Sequence, residues 1–240
     1  MLDRLPLQAV RIRLTGYTAS FRAPSFVAYQ LSLPVPPLAT IFGLLSAAAG
    51  RWVMPDEVEW VAYRLTYSAR AMDLETIYGM ERAKPTDAAR YAERNVVRRE
   101  FLVAPELLLY LPVAWAESFR RPRYPLVLGR SQDLATVEEI TTTVLEWVSS
   151  GEVTGVLLPI EVVWRNGLTA VLHNLPIAFT ADPEREPVRV ALFGSIDGQR
   201  VGSRLRMATI TEGDSWLVRD IAAQVIVPLY QRKWLLYGDT

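Results

Sequence analysis

Arginine and aromatic side chains sit together at five points of this 240-residue chain: Phe21-Arg22, Tyr78 within a charged stretch, Tyr91 with Arg94, Phe119-Arg120-Arg121, and Arg123-Tyr124. A guanidinium forks onto phosphate and a ring lies flat under an unstacked base, so this pairing is the chemistry of single-stranded RNA binding. Each pair alone reads first as a solvated arginine beside a packed ring; as a set scattered on loops they raise RNA binding modestly. The densest basic run holds Arg120, Arg121, Arg123 and Arg130, with no acid between Ser118 and Gln132.

Residues for covalent or metal chemistry are sparse. There is no cysteine and one histidine, His173, which removes thiolate catalysis, disulfides, cysteine-based zinc sites and any two-histidine metal site. His173 falls inside a strand-like run, where a structural role is expected. No GxSxG elbow, Walker loop or GxGxxG fingerprint occurs. Asp182, Glu184 and Glu186 lie in the proline-bounded ADPEREP and are expected to be solvated, while Asp73 and Glu75 alternate in a charged stretch with no special catalytic spacing. An enzyme is not expected, and neither is a cofactor.

The 26 basic residues, 24 of them arginine, balance 26 acids. With net charge zero, nucleic acid must be held by a local patch and not by the global field. Half the residues are hydrophobic and 22% are charged, as in a folded domain. The N-terminal sequence lacks a cleavable apolar leader and no window reaches a membrane span, so a cytoplasmic protein is expected, with no membrane partner.

The elements that must position these residues read as α+β. Val10, Ile12 and Leu14 alternate with Arg11, Arg13 and Thr15, giving a strand with two arginines on its exposed face. A loop holding Pro24, Pro34, Pro36 and Pro37 leads into LATIFGLLSAAAG, a helix apolar on most sides with Gly50 as its C-cap. A second strand follows near 57–69, then a charged stretch from about 70 to 97 with no clear period, expected to be an irregular insertion. VVRREFLV and ELLLYLPV are expected strands, the second of them central, and VEEITTTVLEWV reads as a helix by its glutamates or a strand by its threonines and valines, with strand favoured. Beyond Gly151 the chain turns to β, with Asn166-Gly167 expected to turn a hairpin. The organisation expected is 1–148 as one domain with the insertion, and 149–240 as a smaller β-rich region.

The stretch FRAPSFVAYQLSLPVPPLATIFGLLSAAAGR carries Phe21, Arg22, Pro24, Gln30, Pro34, Pro36, Pro37, Thr40, Gly43, Leu44 and Leu45, and about eighty residues later YPLVLGRSQDLA carries Tyr124, Pro125, Leu128, Gly129, Arg130 and Ser131. In content and order these two blocks resemble the CRISPR-associated Cas-five family of the RAMP superfamily, closest in style to types I-A, I-B and I-D. The resemblance implies a modified RRM, ferredoxin-like N-terminal domain with a protruding thumb at about 70–97. It implies a subunit of a type I surveillance complex (Cascade) that caps the 5′ handle of the crRNA in antiviral defence. The partners would be a Cas-seven-type backbone subunit and a large Cas-eight-type or Cas-ten-type subunit, with target DNA near the PAM touched only indirectly. Type I-C members also cleave precursor crRNA with a tyrosine, lysine and histidine set, and no matching motif stands in this chain.

Under that reading the RNA-binding residues are Arg22 at the end of the first strand, Arg130 after Gly129, where the backbone can approach a phosphate closely, and the patch of Arg120, Arg121 and Arg123. Arg98 and Arg99 lie at the base of the thumb, and Tyr78 and Met80 flank Gly79 at its tip. Two other readings stay open: a metal-independent endoribonuclease, and a scaffold whose loops bind protein only.

Overall fold

The computed structural model describes residues 5–24, 29–81, 88–181, 183, 185–202, 204–213 and 215–238. The insertion's residues 82–87 and the acids Asp182 and Glu184 lie outside them. Strands β1 (Leu7–Gly16), β2 (Trp60–Thr66), β3 (Ala69–Glu81), β4 (Arg90–Val103), β5 (Glu106–Pro112) and β6 (Leu134–Val148) make up the first part, with helices α1 (Leu38–Ala49) and α2 (Ala116–Arg120). The C-terminal part contributes β7 (Val156–Pro159), α3 (Ile160–Arg165), β8 (Val171–Pro176), β9 (Val190–Ile196), β10 (Leu217–Asp220), β11 (Val225–Gln231) and α4 (Arg232–Tyr237).

Six of the seven strands of the main sheet run in the order β1-β5-β2-β11-β10-β6, all neighbours antiparallel, and β6 pairs back onto β1 to close a barrel, while the short strand Leu126–Val127 pairs with the start of β6. Closure leaves these strands without a free edge. The expected alternation of β1 is present: Val10, Ile12 and Leu14 are buried, and ELLLYLPV supplies β5 between β1 and β2. The other face of β1 is not the open arginine face expected. Arg11 is mostly covered and reaches Asp220 at 2.9 Å and Glu139 at 3.3 Å, because β6 and β10 bring carboxylates over it. A boundary at 148/149 would cut β10 and β11 from the strands they pair with, since both return to the main sheet.

Helix α1 buries Leu38, Ile41, Phe42, Leu44, Leu45 and Ala48, each fully buried large side chain stabilising by about 1.5–3 kcal/mol. It ends as expected at Gly50, whose φ of +74° is left-handed and whose N–H donates to Ser46 O at 2.9 Å. No helix among the described residues is long and apolar enough to cross a membrane.

Two further expectations are corrected. The stretch from 70 to 97 is not irregular: β3 and β4 form a long two-stranded ribbon in register from Ala69↔Val103 to Glu81↔Arg90, shifted between Gly79 and Met80. Its alternation is hidden because one face mixes apolar side chains with arginines and the other packs charges on the body. Asn166-Gly167 does not turn a hairpin. It closes α3, with Gly167 at φ +57° and the Asn166 side chain accepting from the N–H groups of Thr211 and Glu212 at 2.8 Å each.

Candidate nucleic-acid interface

The proline loop is a pinned hairpin in its described parts. Leu33 N–H donates to Phe21 O at 2.7 Å, Ala23 N–H to Leu31 O at 2.9 Å, and Phe21 N–H to Ser32 Oγ at 3.0 Å. Tyr29 and Gln30 pair in parallel with Arg98 and Arg99 of β4, so the loop extends the base of the ribbon. Glu100 ties the pieces: its Oε2 accepts from Ser32 N–H at 3.0 Å and Arg70 Nη1 at 3.2 Å, and its carbonyl accepts from Ser20 Oγ at 3.0 Å. On the helix side, the buried Tyr63 Oη donates to Pro36 O at 2.9 Å, tying the loop to β2.

These anchors shape a cleft of about 430 Å³ in which both sequence blocks meet. Arg22, Pro24, Pro37 and Thr40 come from the first block, Gly129 and Arg130 from the second, Arg99 from the ribbon base, and Leu175, Pro176 and Phe179 from the C-terminal part. The last three carried no sequence signal beyond apolarity. They are brought in by β8 and held there in part by Trp52, whose Nε1 donates to Phe179 O at 2.8 Å.

The charges divide into committed and available guanidiniums. Arg130 is 10% exposed and its fork is filled. Nε donates to Asp133 Oδ2 at 3.0 Å, Nη2 to Asp133 Oδ1 at 2.9 Å and Nη1 to Glu75 Oε1 at 2.6 Å. Asp133 and then Glu75 hold this guanidinium above its ordinary pKa in spite of burial. Arg99 Nε stands 2.7 Å from Glu75 Oε2, a charge contact that does not lie along its N–H, which has no aligned acceptor. Asp73 and Glu75 are thus ion partners that lock the ribbon to the 129–133 turn. Gly129, at φ +115°, is required because a Cβ there would overlap the Ser20 carbonyl. The close approach it permits is to this chain's own backbone.

Arg22 and Arg98 are exposed, with no ion-pair partner among the described residues. Arg98 lies on the outer face of the ribbon with Leu74, Tyr78, Arg94 and Val96, all exposed. Tyr78 and Met80 stand near the far end as expected, and Tyr78 touches Tyr91 with ring centroids 5.6 Å apart. Arg120, Arg121 and Arg123 are not brought into the cleft. Arg123 N–H donates to Ala48 O at the C-terminal end of α1, about 15 Å of helix from the Pro37 end that lines the cleft. Arg120 and Arg121 make exposed contacts to Glu117 at 3.4 and 3.8 Å. His173 lies in β8, its Nε2 3.3 Å from Ser195 Oγ, and burial pushes its imidazole below the ordinary pKa.

No family model and no curated protein matches the chain. Solved structures share its fold. A chain of the Type III-B Cmr-beta assembly, seen by cryo-EM bound to cognate target RNA and AMPPnP, superposes with a TM-score of 0.53 at 8% identity, over 90% of this chain and 98% of that one. A CRISPR protein from Archaeoglobus fulgidus gives 0.50 at 9% identity, over 94% and 100%. A chain of a CRISPR RNA-guided surveillance complex gives 0.48 at 18% identity, over 84% and 90%. The first two place the fold among those found in CRISPR-associated proteins.

Proposed function

We propose that the chain is a non-catalytic RNA-binding subunit of a type I CRISPR surveillance complex, a Cas-five-type protein that caps the 5′ handle of the crRNA. It would dock against a Cas-seven-type backbone subunit and a large Cas-eight-type or Cas-ten-type subunit, with guide pairing and not this chain reading the target. The observation that carries the reading is the cleft at the ribbon base, where two sequence blocks about eighty residues apart converge around the free guanidinium of Arg22, with that of Arg98 exposed on the outer face of the adjoining aromatic ribbon. The order β1-α1-β2-β5-α2-β6, with spatial order β2-β5-β1-β6, supports a modified RRM or ferredoxin-like core closed by β10 and β11. The fold shared with a chain of the Cmr-beta assembly, an assembly seen bound to cognate target RNA, supports the same class.

Arg22 and Arg98 take the phosphate-binding role in this reading, since Arg130 is spent on carboxylates. Fluorescence anisotropy with a repeat-derived single strand tests it. The double variant Arg22→Ala, Arg98→Ala should lose roughly 1.5–3 kcal/mol per contact, and the salt slope should fall by about 0.7 for each. Unchanged affinity and slope would remove both residues from the interface.

A further inference from the structure

The turn that walls the first cleft also lines a second, of about 480 Å³, bounded by Thr15, Tyr17, Thr18, Gln132, Thr136 and Glu138. Its floor follows from strand alternation: Leu134, Thr136 and Glu138 share one face of β6, and Thr15 pairs with Thr136 from β1. Tyr17 stands at the rim with 94% of its surface exposed. Its backbone is fixed nonetheless, because Ala104 N–H donates to Tyr17 O at 2.9 Å and Gly16 N–H to Pro105 O at 3.2 Å. An exposed ring on a rigid backbone is a stacking platform that loses little entropy when covered.

The lining contains one carboxylate and no guanidinium or ammonium. A phosphate is repelled there, whereas the edge of a base carrying N–H groups is attracted. Glu138 Oε1 accepts from Thr15 Oγ1 at 2.9 Å and leaves Oε2 unclaimed. Gln132 donates its Nε2 to Glu75 at 3.3 Å and leaves its carbonyl oxygen as an acceptor. Glu138 Oε2 and the Gln132 carbonyl oxygen are two unclaimed acceptors, which match a base edge with an exocyclic amine and an imino N–H side by side.

We propose that this second cleft holds one extruded nucleobase of the bound RNA, stacked on Tyr17 and read by Glu138 and Gln132, with guanine the fitting base because it presents two adjacent donors. The proposal rests on the RNA-binding reading above and adds a base-specific site to it. Uracil, which offers two carbonyl oxygens and one N–H, is disfavoured by the same groups.

The test uses the full chain and oligouridylate strands with one central guanosine, one inosine, which lacks the 2-amine, or one 2-aminopurine. The wild type should bind the guanosine strand about fivefold or more tighter than the inosine strand. Glu138→Gln should erase that preference. The 2-aminopurine strand should be quenched on binding, with the quench retained in Tyr17→Phe and lost in Tyr17→Ala. Salt-dependent binding that Arg22→Ala, Arg98→Ala weakens, but with guanosine and inosine bound equally or the quench intact in Tyr17→Ala, overturns this site alone. Failure to bind any of the strands overturns both the site and the RNA-binding reading.

Discussion

Replacing Arg130 by alanine separates two roles that its sequence position leaves entangled. As a phosphate ligand it would be dispensable for folding; as found, it joins the ribbon to the body through Asp133 and Glu75. Removing one partner of a buried pair costs about 3–5 kcal/mol because the other charge is left uncompensated. Asp133 is fully buried, but it keeps hydrogen bonds from Thr18 Oγ1 at 2.6 Å and from the backbone N–H of residue 130 at 3.1 Å, both of which survive the substitution. Glu75 likewise keeps Arg99. The expected loss is therefore at the lower end, about 3 kcal/mol. Urea unfolding followed through the tryptophans, of which Trp216 and Trp234 are buried and in edge contact at 5.2 Å, should show a lower midpoint at unchanged slope. In RNA binding the folded variant should keep its salt slope. A variant of wild-type stability whose salt slope drops by about 0.7 would make Arg130 a phosphate contact and refute the clamp.

Three other substitutions probe separate parts of the account. Asp220 accepts from Thr143 at 2.8 Å, Arg11 at 2.9 Å and the N–H of Ala222 at 3.0 Å; burial opposes its charge, but these bonds hold the carboxyl below its ordinary pKa. Its contribution is present above the unfolded-state value of about 3.9 and lost as pH falls through the lower folded value, so Asp220→Asn should reduce stability at neutral pH and flatten the acid limb of the urea-midpoint profile. Gly129→Ala meets a left-handed φ and the Ser20 carbonyl, and calorimetry should show at least the 1–3 kcal/mol typical of such backbone strain, about that much off the unfolding free energy. Tyr78→Ala removes a ring that is 59% exposed, so stability should move by less than about 0.5 kcal/mol while RNA affinity falls by about 1 kcal/mol or more.

The parts legible in the sequence were those whose apolar pattern faces a single core. β1 shows period 2, β5 is apolar after Glu106 because strands flank it and the barrel closes round it, and α1 has its proline entry and glycine exit. The ribbon was missed because neither of its faces is purely apolar: Leu74 and Tyr78 share one with Arg94 and Arg98, and Glu75 shares the other with Arg99. Asn166-Gly167 misled because the same pair that suits a hairpin turn also suits a helix C-terminus, and β7 passes directly into α3. The cleft was half legible. Both blocks were visible, but Arg130's commitment depends on Glu75, 55 residues away, and only the Asp133 spacing of three hinted at it.

The central claim is that this chain binds a defined single-stranded RNA. Purifying it from cells that carry its natural neighbours, then extracting and sizing the nucleic acid, tests that most directly. The expected result is an RNA of uniform length with a common 5′ sequence, retained by the wild type and lost from Arg22→Ala, Arg98→Ala. A complex that assembles with protein partners yet carries no RNA, or carries RNA that the double variant holds as well, would contradict it.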